Sequence, residues 1–373
     1  MDDDARATHR APVTSNNGHS NAHSAAEVAS PHEVILITGA GGSIGSGLAK
    51  HLLLDTRTLV LLDHSEQNLY EIHSELSFTN ANSANHVPIL GDINDALLLA
   101  EVFEKYRPTK IFHAAAFKHV PLMEENPIAV IRNNILGTWT LATTAAKYRA
   151  QQLTMISTDK AANPRSIMGA AKRVAEQILT RLDTRATRLR SIRLGNVLGS
   201  TGSVVPLFQR QIANGGPVTV THPEARRYFL SLEQATDLIL AAALEDTATL
   251  FVPDLDAPFK ILDLAKKLIG KAQPSAASNG NPIEIVFTGL RPGDKLSEDL
   301  LSSSETAEPT THPKLRRITS PTPNAKSLDA AITLIAEKIQ SRDLPSLLES
   351  IRALVPDYHS SDLISQISAT AKA

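Results

Sequence analysis

Val34-Ile35-Leu36-Ile37-Thr38-Gly39-Ala40-Gly41-Gly42-Ser43-Ile44-Gly45 decides the fold. Its four leading apolar residues read as a buried strand, and a helical pattern runs from about Ser43 to Leu54 beyond the turn. Gly39, Gly42 and Gly45 lie three apart, a variant of the G-x-G-x-x-G spacing. Strand, glycine turn and helix in succession make a weak glycine motif a strong one. Glycine allows the tight turn and lets backbone N–H groups approach a pyrophosphate at the helix N-terminus. Gly39, Gly42, Ser43, Ile44 and Gly45 are therefore the expected cradle of a dinucleotide.

The segments that follow repeat the pattern. Leu59-Val60-Leu61-Leu62 ends in Asp63, within about 20 residues of the glycines, where a carboxylate suits the adenosine ribose hydroxyls. Its charge would repel a 2′-phosphate, and His64-Ser65-Glu66 offers no arginine to receive one, so NAD is expected over NADP. Val87-Pro88-Ile89-Leu90 reads as a third strand, with Asp92 and Ile93 after it, the carboxylate placed to accept from an adenine amine. Asp95 caps a helix over Ala96–Tyr106. Ile111-Phe112-His113 is the fourth strand, its histidine expected to be packed rather than catalytic. Ala114 and Ala115 are small enough for a cofactor to lie against the backbone. Lys118-His119-Val120-Pro121 reads as a loop, and Pro127 starts a long helix reaching about Arg149. Asn133 and Asn134 fall inside that helix, one of them facing the site. Strand and helix in alternation mean α/β architecture: a doubly wound parallel sheet of Rossmann type.

The fifth strand, Leu153-Thr154-Met155-Ile156, leads into Ser157-Thr158-Asp159-Lys160. Asn163-Pro164 breaks the chain before a helix over Met168–Thr180. A hydroxyl, a carboxylate and the ammonium groups of Lys160 and Lys172 thus gather at the carboxyl end of a strand, where ligands sit in open α/β sheets. Short-chain dehydrogenases place a tyrosine base four residues before a lysine that lowers its pKa. Met168 and Lys172 keep that spacing without the tyrosine, and a thioether cannot act as a base. Either the protein does no chemistry, or the proton leaves by another route involving Thr158, Asp159 and an ordered water.

The chain has 373 residues, 42% hydrophobic and 20% charged, with a net charge of -2 and a pI near 6.7. Neither a nucleic-acid partner nor an anionic membrane surface fits that balance. There are no cysteines, which excludes disulfides and thiolate metal sites. His9, His19, His23 and His32 are irregularly spaced in polar surroundings, and no metal is expected. No apolar run approaches the roughly 20 residues that span a bilayer, and the N-terminus lacks a signal-peptide core, so a cytoplasmic enzyme is expected. Residues 1–31 read as a disordered tail, 32–195 as the dinucleotide-binding domain, 196–301 mostly as a smaller, discontinuous substrate lobe, and 302–373 as a C-terminal helical extension. The sixth strand is Ser191-Ile192-Arg193, and the lobe is expected to hold Val218-Thr219-Val220, Phe251-Val252 and Ile283–Phe287 as separate strands. Helices are expected over Val204–Ile212, Leu232–Leu244 and Ile261–Ile269. Lys271–Asn281 reads as a surface loop. An amphipathic helix bearing Leu328, Ile332, Ile335 and Ile339 closes the pattern.

Ser157-Thr158-Asp159-Lys160-Ala161-Ala162-Asn163-Pro164, with Met168-Gly169-Ala170-Ala171-Lys172-Arg173, resembles the nucleotide-sugar 4,6-dehydratases of the extended short-chain dehydrogenase/reductase superfamily, and within them the CapD-like polysaccharide-biosynthesis branch. Lys118–Glu124, Arg193–Ser200, Gly202–Pro206, Arg226–Phe229 and Gly289–Leu296 extend the resemblance across roughly Val34 to Tyr358. Methionine at the tyrosine position is similar to one subset of that family. Many CapD-like members carry membrane helices and a further domain before the dehydratase, where this chain is expected to have a polar tail. Asp294 stands where the family more often has glutamate.

The resemblance implies loss of water from a UDP-N-acetylhexosamine, most often UDP-N-acetylglucosamine, by way of a 4-keto sugar. Lys160 would take the C5 proton as a neutral amine in a desolvated site beside Lys172. Asp159, held protonated by burial, would donate to the departing C6 hydroxyl. Thr158 would hold the C4 hydroxyl and Lys172 the nicotinamide ribose. Asn196, Arg227 and Arg291 would hold the uridine diphosphate, with Lys118, Asn134 and Val205 beside the substrate, and a homo-oligomer is expected. Two rivals share the scaffold: a nucleotide-sugar 4-epimerase, which needs neither a C5 base nor a C6 acid, and a non-catalytic NAD-binding protein.

Overall fold

The computed structural model describes residues 33–53, 58–79, 85–182, 184, 186–246, 249–271, 282–320 and 326–370. The expected N-terminal tail and almost all of the Lys271–Asn281 loop lie outside these residues. The first half alternates as β1 (Val34–Thr38), α1 (Ser43–Leu52), β2 (Thr58–Asp63), α2 (Glu66–Thr79), β3 (Asn85–Leu90), α3 (Ala96–Tyr106) and β4 (Lys110–His113). Then come α4 (Val120–Glu125), α5 (Pro127–Ile131), a π-helical turn over Arg132–Gly137, α6 (Thr138–Lys147) and β5 (Gln152–Thr158). A 3₁₀ turn over Asp159–Ala161 precedes α7 (Ile167–Arg181) and β6 (Arg188–Leu194).

The second half holds β7 (Asn196–Val197), α8 (Val204–Ala213), β8 (Val218–Val220), β9 (Arg226–Arg227), β10 (Phe229–Leu230) and α9 (Leu232–Leu244). It continues through β11 (Leu250–Pro253), β12 (Phe259–Lys260), α10 (Ile261–Lys271), β13 (Ile285–Phe287), β14 (Thr306–Pro309) and β15 (Leu315–Thr319). Helices α11 (Lys326–Gln340), α12 (Leu344–Leu354) and α13 (Asp362–Thr370) end the described chain.

Nine strands form the central sheet in the order β14-β15-β11-β6-β5-β4-β1-β2-β3. Every pairing from β3 to β11 is parallel, while β15 and β14 add antiparallel at the far edge. The order reverses between β1 and β4, and ligands of such sheets lie outside the carboxyl ends of the strands at that reversal. The apolar strand runs divide cleanly between two faces. Leu36, Val60, Leu62, Ile111, Leu153 and Met155 pack toward α3, α6 and α7. Ile35, Ile37, Leu59, Leu61, Phe112 and Ile156 pack toward α1, α2 and α9. Both faces being covered is why these strands read as continuous apolar runs rather than alternating ones.

The structure corrects several expectations. Phe251-Val252 belongs to the main sheet as part of β11, beside β6, because all four residues of β11 are buried. The Pro/Thr/Ser-rich stretch after Ser302 supplies two edge strands, so 302–373 is more than helical. Helix α4 begins at Val120, with Pro121 in its first turn, where a missing N–H costs nothing. The helix expected from Pro127 carries a π turn at its centre, a feature common at functional sites. Asp95 caps α3 as expected, accepting from the Leu97 and Leu98 N–H groups.

A separate apolar cluster of Phe208, Ile212, Val218, Val220, Ala225, Ile261 and Ala265 forms the small lobe. Leu328, Ile332 and Ile335 of α11 and Leu347, Leu348 and Ile351 of α12 join the cluster that contains α7. These C-terminal helices are thus part of the main core. Leu347 is fully buried, so Leu347→Ala is expected to cost about 2–5 kcal/mol in urea denaturation, in a single transition. A separate early transition confined to the last helices would show that they pack independently.

Candidate active site

The glycine turn is built as its spacing predicts. Gly39 has φ +68°, and a Cβ there would meet the Ala114–Ala115 backbone at 2.6 Å. A Cβ on Gly45 would fall 2.1 Å from the Gly39 carbonyl oxygen. Gly42 is the N-cap of α1, which has no side-chain cap and no acidic residue in its first turn. Exposed N–H groups and the positive end of the helix dipole therefore face the crevice, as a pyrophosphate requires. Asp63 is buried at the end of β2, and its two oxygens accept from the Gly41 and Ser65 N–H groups, both at 2.9 Å. It pins the glycine turn to β2 while keeping its charge at the crevice. Asp92 is exposed, with Oδ1 accepting from the Asn94 N–H at 2.9 Å. Ile93 is buried against Gly137.

At the end of β4, His113 Nδ1 lies 2.8 Å from Thr38 Oγ1 and Nε2 lies 3.0 Å from Thr138 Oγ1. Thr138 donates its hydroxyl to the Asn134 carbonyl, so His113 donates from Nε2 and accepts at Nδ1. Burial, aided by Lys172, pushes its pKa down to about 3, so the ring is a neutral tie between strands. The residues after it, Ala114 and Ala115, line the crevice next to Gly39. Asn134 receives a different task from the one expected. Its side chain accepts from Phe117 N–H at 2.9 Å and donates to Phe117 C=O at 3.0 Å. It is buried and shapes the loop that carries Lys118. Lys118 Nζ reaches the Thr201 carbonyl at 2.7 Å, and the Thr201 N–H donates to Ser43 Oγ at 3.0 Å. The loop before α8, which carries Val205 in its first turn, thereby closes over the glycine turn.

The reactive groups converge at the end of β5. Asp159 is fully buried. Its Oδ1 accepts from Thr158 Oγ1 and from Lys160 Nζ, both at 2.9 Å, while Oδ2 has no partner among the described residues. Lys160 Nζ also lies 3.4 Å from Asn196 Oδ1 and 3.4 Å from Glu298 Oε1. Here the structure departs from the expectation of a neutral amine beside Lys172. Burial alone would lower the Lys160 pKa, but Asp159 and Glu298 outweigh it and hold it above the ordinary lysine value. Lys172, one turn into α7, is buried and pushed down to about 8, the Glu176 carboxylate only partly opposing burial. Met168 is buried in the core beside it. Thr158 and Lys160 are partly exposed to the crevice.

Arg227 is the second reassignment. Its Nη1 and Nη2 donate to the carbonyls of Arg226 (2.7 Å) and Lys295 (2.9 Å), and its Nε lies 3.6 Å from Glu298. A guanidinium engaged in this way braces the 295–298 segment. Arg291 is exposed, and among the described residues its side chain is engaged only through Nε, which meets Asp294 at 2.9 Å, so it keeps donors for a ligand. Sequence reasoning passed over Glu298, whose only signal was its place two residues beyond the Gly289–Leu296 run. It also passed over Glu124, fully buried, which accepts from the Ile167 N–H at 2.7 Å and from Ser361 Oγ. Glu124 thereby joins the start of α7 to α13.

The sequence profile of the family described as "Polysaccharide biosynthesis protein" matches residues 35–320. The Capsular polysaccharide biosynthesis protein CapD of Staphylococcus aureus is 47% identical over 281 residues, which is 74% of this chain and 46% of that protein. The chain thus spans about half the length of that relative. A UDP-N-acetylglucosamine 4,6-dehydratase (inverting) of Campylobacter jejuni is 31% identical over 73% of this chain and 78% of its own. A UDP-glucose 4-epimerase of Rickettsia rickettsii is 30% identical over 74% of this chain and 80% of its own. Among solved structures, Pen from Bacillus thuringiensis superposes with a TM-score of 0.68 at 28% identity, covering 78% of this chain and 88% of that one. No described helix is long and apolar enough to cross a membrane.

Lys172 sets a pH limit on this crevice. Its pKa is lowered, so the ammonium is lost as pH rises through about 8 rather than near 10. NAD affinity, titrated calorimetrically across that range, is expected to fall above about pH 8, and Lys172→Met is expected to bind more weakly without that break. An unchanged break in the variant would remove Lys172 from the cofactor site.

Proposed function

We propose, from the premise that this chain belongs to the polysaccharide biosynthesis protein family, that it is an NAD-dependent dehydratase acting on a UDP-N-acetylhexosamine. UDP-N-acetylglucosamine is the first substrate to test, and the product is the UDP-4-keto-6-deoxy sugar. The reading is carried by one observation: Thr158, Asp159 and Lys160 form a hydrogen-bonded chain at the carboxyl end of β5, with a buried carboxylate oxygen left over. The glycine cradle, the uncapped start of α1 and the Asp63 charge fit NAD, and the charge at residue 63 weighs against a 2′-phosphate. When bound, NAD would supply a reversible hydride acceptor, so none would be consumed over a cycle.

The chain supplies the proton chemistry. Thr158 accepts the C4 hydroxyl proton and passes its own to Asp159 along the 2.9 Å bond already present. Asp159 then holds a proton in the dry interior and gives it to the departing C6 hydroxyl. The 4-ketone acidifies C5, and Lys160 removes that proton and later restores one. A buried carboxyl beside a relay hydroxyl thus replaces the tyrosine missing at Met168. Asn196 and Arg291 would receive the nucleotide diphosphate, with Lys118 and Val205 beside the substrate.

The epimerase among the relatives keeps a second reading in view, since it needs only the redox step at C4. After incubation with UDP-N-acetylglucosamine and NAD in deuterated water, a dehydratase gives a C6 methyl signal with deuterium at C5. An epimerase gives a product inverted at C4 and keeps the C6 alcohol. Asp159→Asn and Lys160→Ala are each expected to lower dehydration by about 10²–10⁴-fold. Activity of either variant equal to wild type would remove that residue from the reaction.

A further inference from the structure

Glu298 is a buried carboxylate placed between the two cations of the site. Its side chain is 2% exposed, with Oε1 3.4 Å from Lys160 Nζ and 3.6 Å from Arg227 Nε. Its second oxygen, Oε2, is buried without a hydrogen-bond partner among the described residues, and so is Oδ2 of Asp159. Orphaned carboxylate oxygens in a dry interior are costly unless a proton or ligand visits them. The other oxygens of the same two carboxyl groups, Asp159 Oδ1 and Glu298 Oε1, flank the Lys160 ammonium. Their surroundings sum to neutrality: two carboxylates, Lys160 and Arg227.

Resting on the dehydratase reading, we propose that Glu298 is a positioning and proton-holding residue that acts through Lys160. It receives the ammonium proton of Lys160, so that the freed amine can take the C5 proton, and it returns that proton at the end of the cycle. The need follows from counting protons. Lys160 is held as an ammonium by its two acidic neighbours, and an ammonium cannot act as a base. Asp159 cannot relieve it, because Asp159 is the group that receives the C4 hydroxyl proton. Among the described residues, Glu298 is the remaining carboxylate against Lys160.

The cycle then closes without solvent. The C4 O–H bond breaks, and its proton moves through Thr158 to Asp159. A Lys160 N–H bond breaks, and that proton forms an O–H bond on Glu298. The C5–H bond breaks and its proton passes to Lys160. The electron pair left behind becomes the C5–C6 π bond as the C6–O bond breaks. The leaving oxygen takes the Asp159 proton and departs as water. The two electrons that left C4 with hydride return at C6, C5 takes its proton from Lys160, and Glu298 gives its proton back. All three groups end as they began, and the water carries away the C6 hydroxyl together with the former C4 hydroxyl proton.

Glu298→Gln keeps the shape and removes the acceptor. C4 oxidation, followed as transient absorbance of reduced nicotinamide in a single turnover, is expected to persist within about threefold. Solvent deuterium uptake at C5 is expected to fall by about 10²–10⁴-fold at neutral pH. It should recover as pH rises, because hydroxide can then free Lys160, and a packing defect would show no such recovery. If C4 oxidation and C5 uptake fall together with no pH recovery, or if neither changes, Glu298 does not hold the proton. Should the glutamine variant fail to fold, Glu298→Asp withdraws the carboxyl by one methylene and is expected to slow C5 uptake by at least about tenfold with C4 oxidation intact; equal slowing of both would overturn the proposal. A wild-type protein that gives neither a C6 methyl nor C5 deuterium would instead sink the dehydratase reading.

Discussion

Arg193 is fully enclosed and sits between two carboxylates, and much of the site hangs on that arrangement. Its Nε and Nη2 donate to Glu176 of α7 at 2.9 and 2.7 Å, and its Nη1 and Nη2 donate to Glu305 at 2.7 and 2.9 Å. Arg173 pairs with the same two acids, and Ser157 donates to Glu176 at 2.5 Å. Burial disfavours the carboxylates, but the arginines outweigh it: Glu176 is held below its ordinary value, and Glu305 falls to about 2. Breaking one partner of such a buried network leaves an uncompensated charge, at a cost of about 3–5 kcal/mol. The network fastens β6, α7 and the 300–305 segment to one another. It thereby sets Lys172, four residues before Glu176, and Glu298, which precedes the Leu300 carbonyl that Arg193 also holds at 3.0 Å.

Around the crevice, polar side chains divide by what they have left over. Asp63 and Asn134 spend their side-chain groups on backbone N–H and C=O groups, and His113 spends both ring nitrogens on the Thr38 and Thr138 hydroxyls, which fixes the glycine turn, the Phe117 loop and the end of β4. Asp159 and Glu298 each keep an oxygen without a partner among the described residues, and burial loosens the Lys172 proton against the partial hold of Glu176. Saturated groups give a rigid frame, and unsaturated ones in a desolvated crevice are where proton transfer is least hindered by water.

Much of this architecture could be read directly. The glycine spacing after Val34–Ile37, the acid ending β2 and the apolar run ahead of Ser157 each signal a local structure that the chain adopts, because strand, turn and helix are set by near neighbours. The edge strands β14 and β15 were hidden, since pairing there comes from distant partners and their sequences carry the Pro and Thr typical of loops. Lys160 shows why a site is harder to read than a fold. Its protonation depends on Glu298, 138 positions away in sequence, and burial alone pointed the wrong way. Arg227 likewise gives no sign in the sequence that its guanidinium bonds the Arg226 and Lys295 carbonyls.

On the proposed function, hydrogen leaving C4 arrives at C6 of the same sugar while the chain moves the protons. The most direct measurement uses UDP-N-acetylglucosamine carrying deuterium at C4, with the product read by mass spectrometry and NMR. A product with that deuterium in its C6 methyl group is the predicted result. Deuterium found again at C4, or a C6 carbon that still bears its hydroxyl, would contradict it.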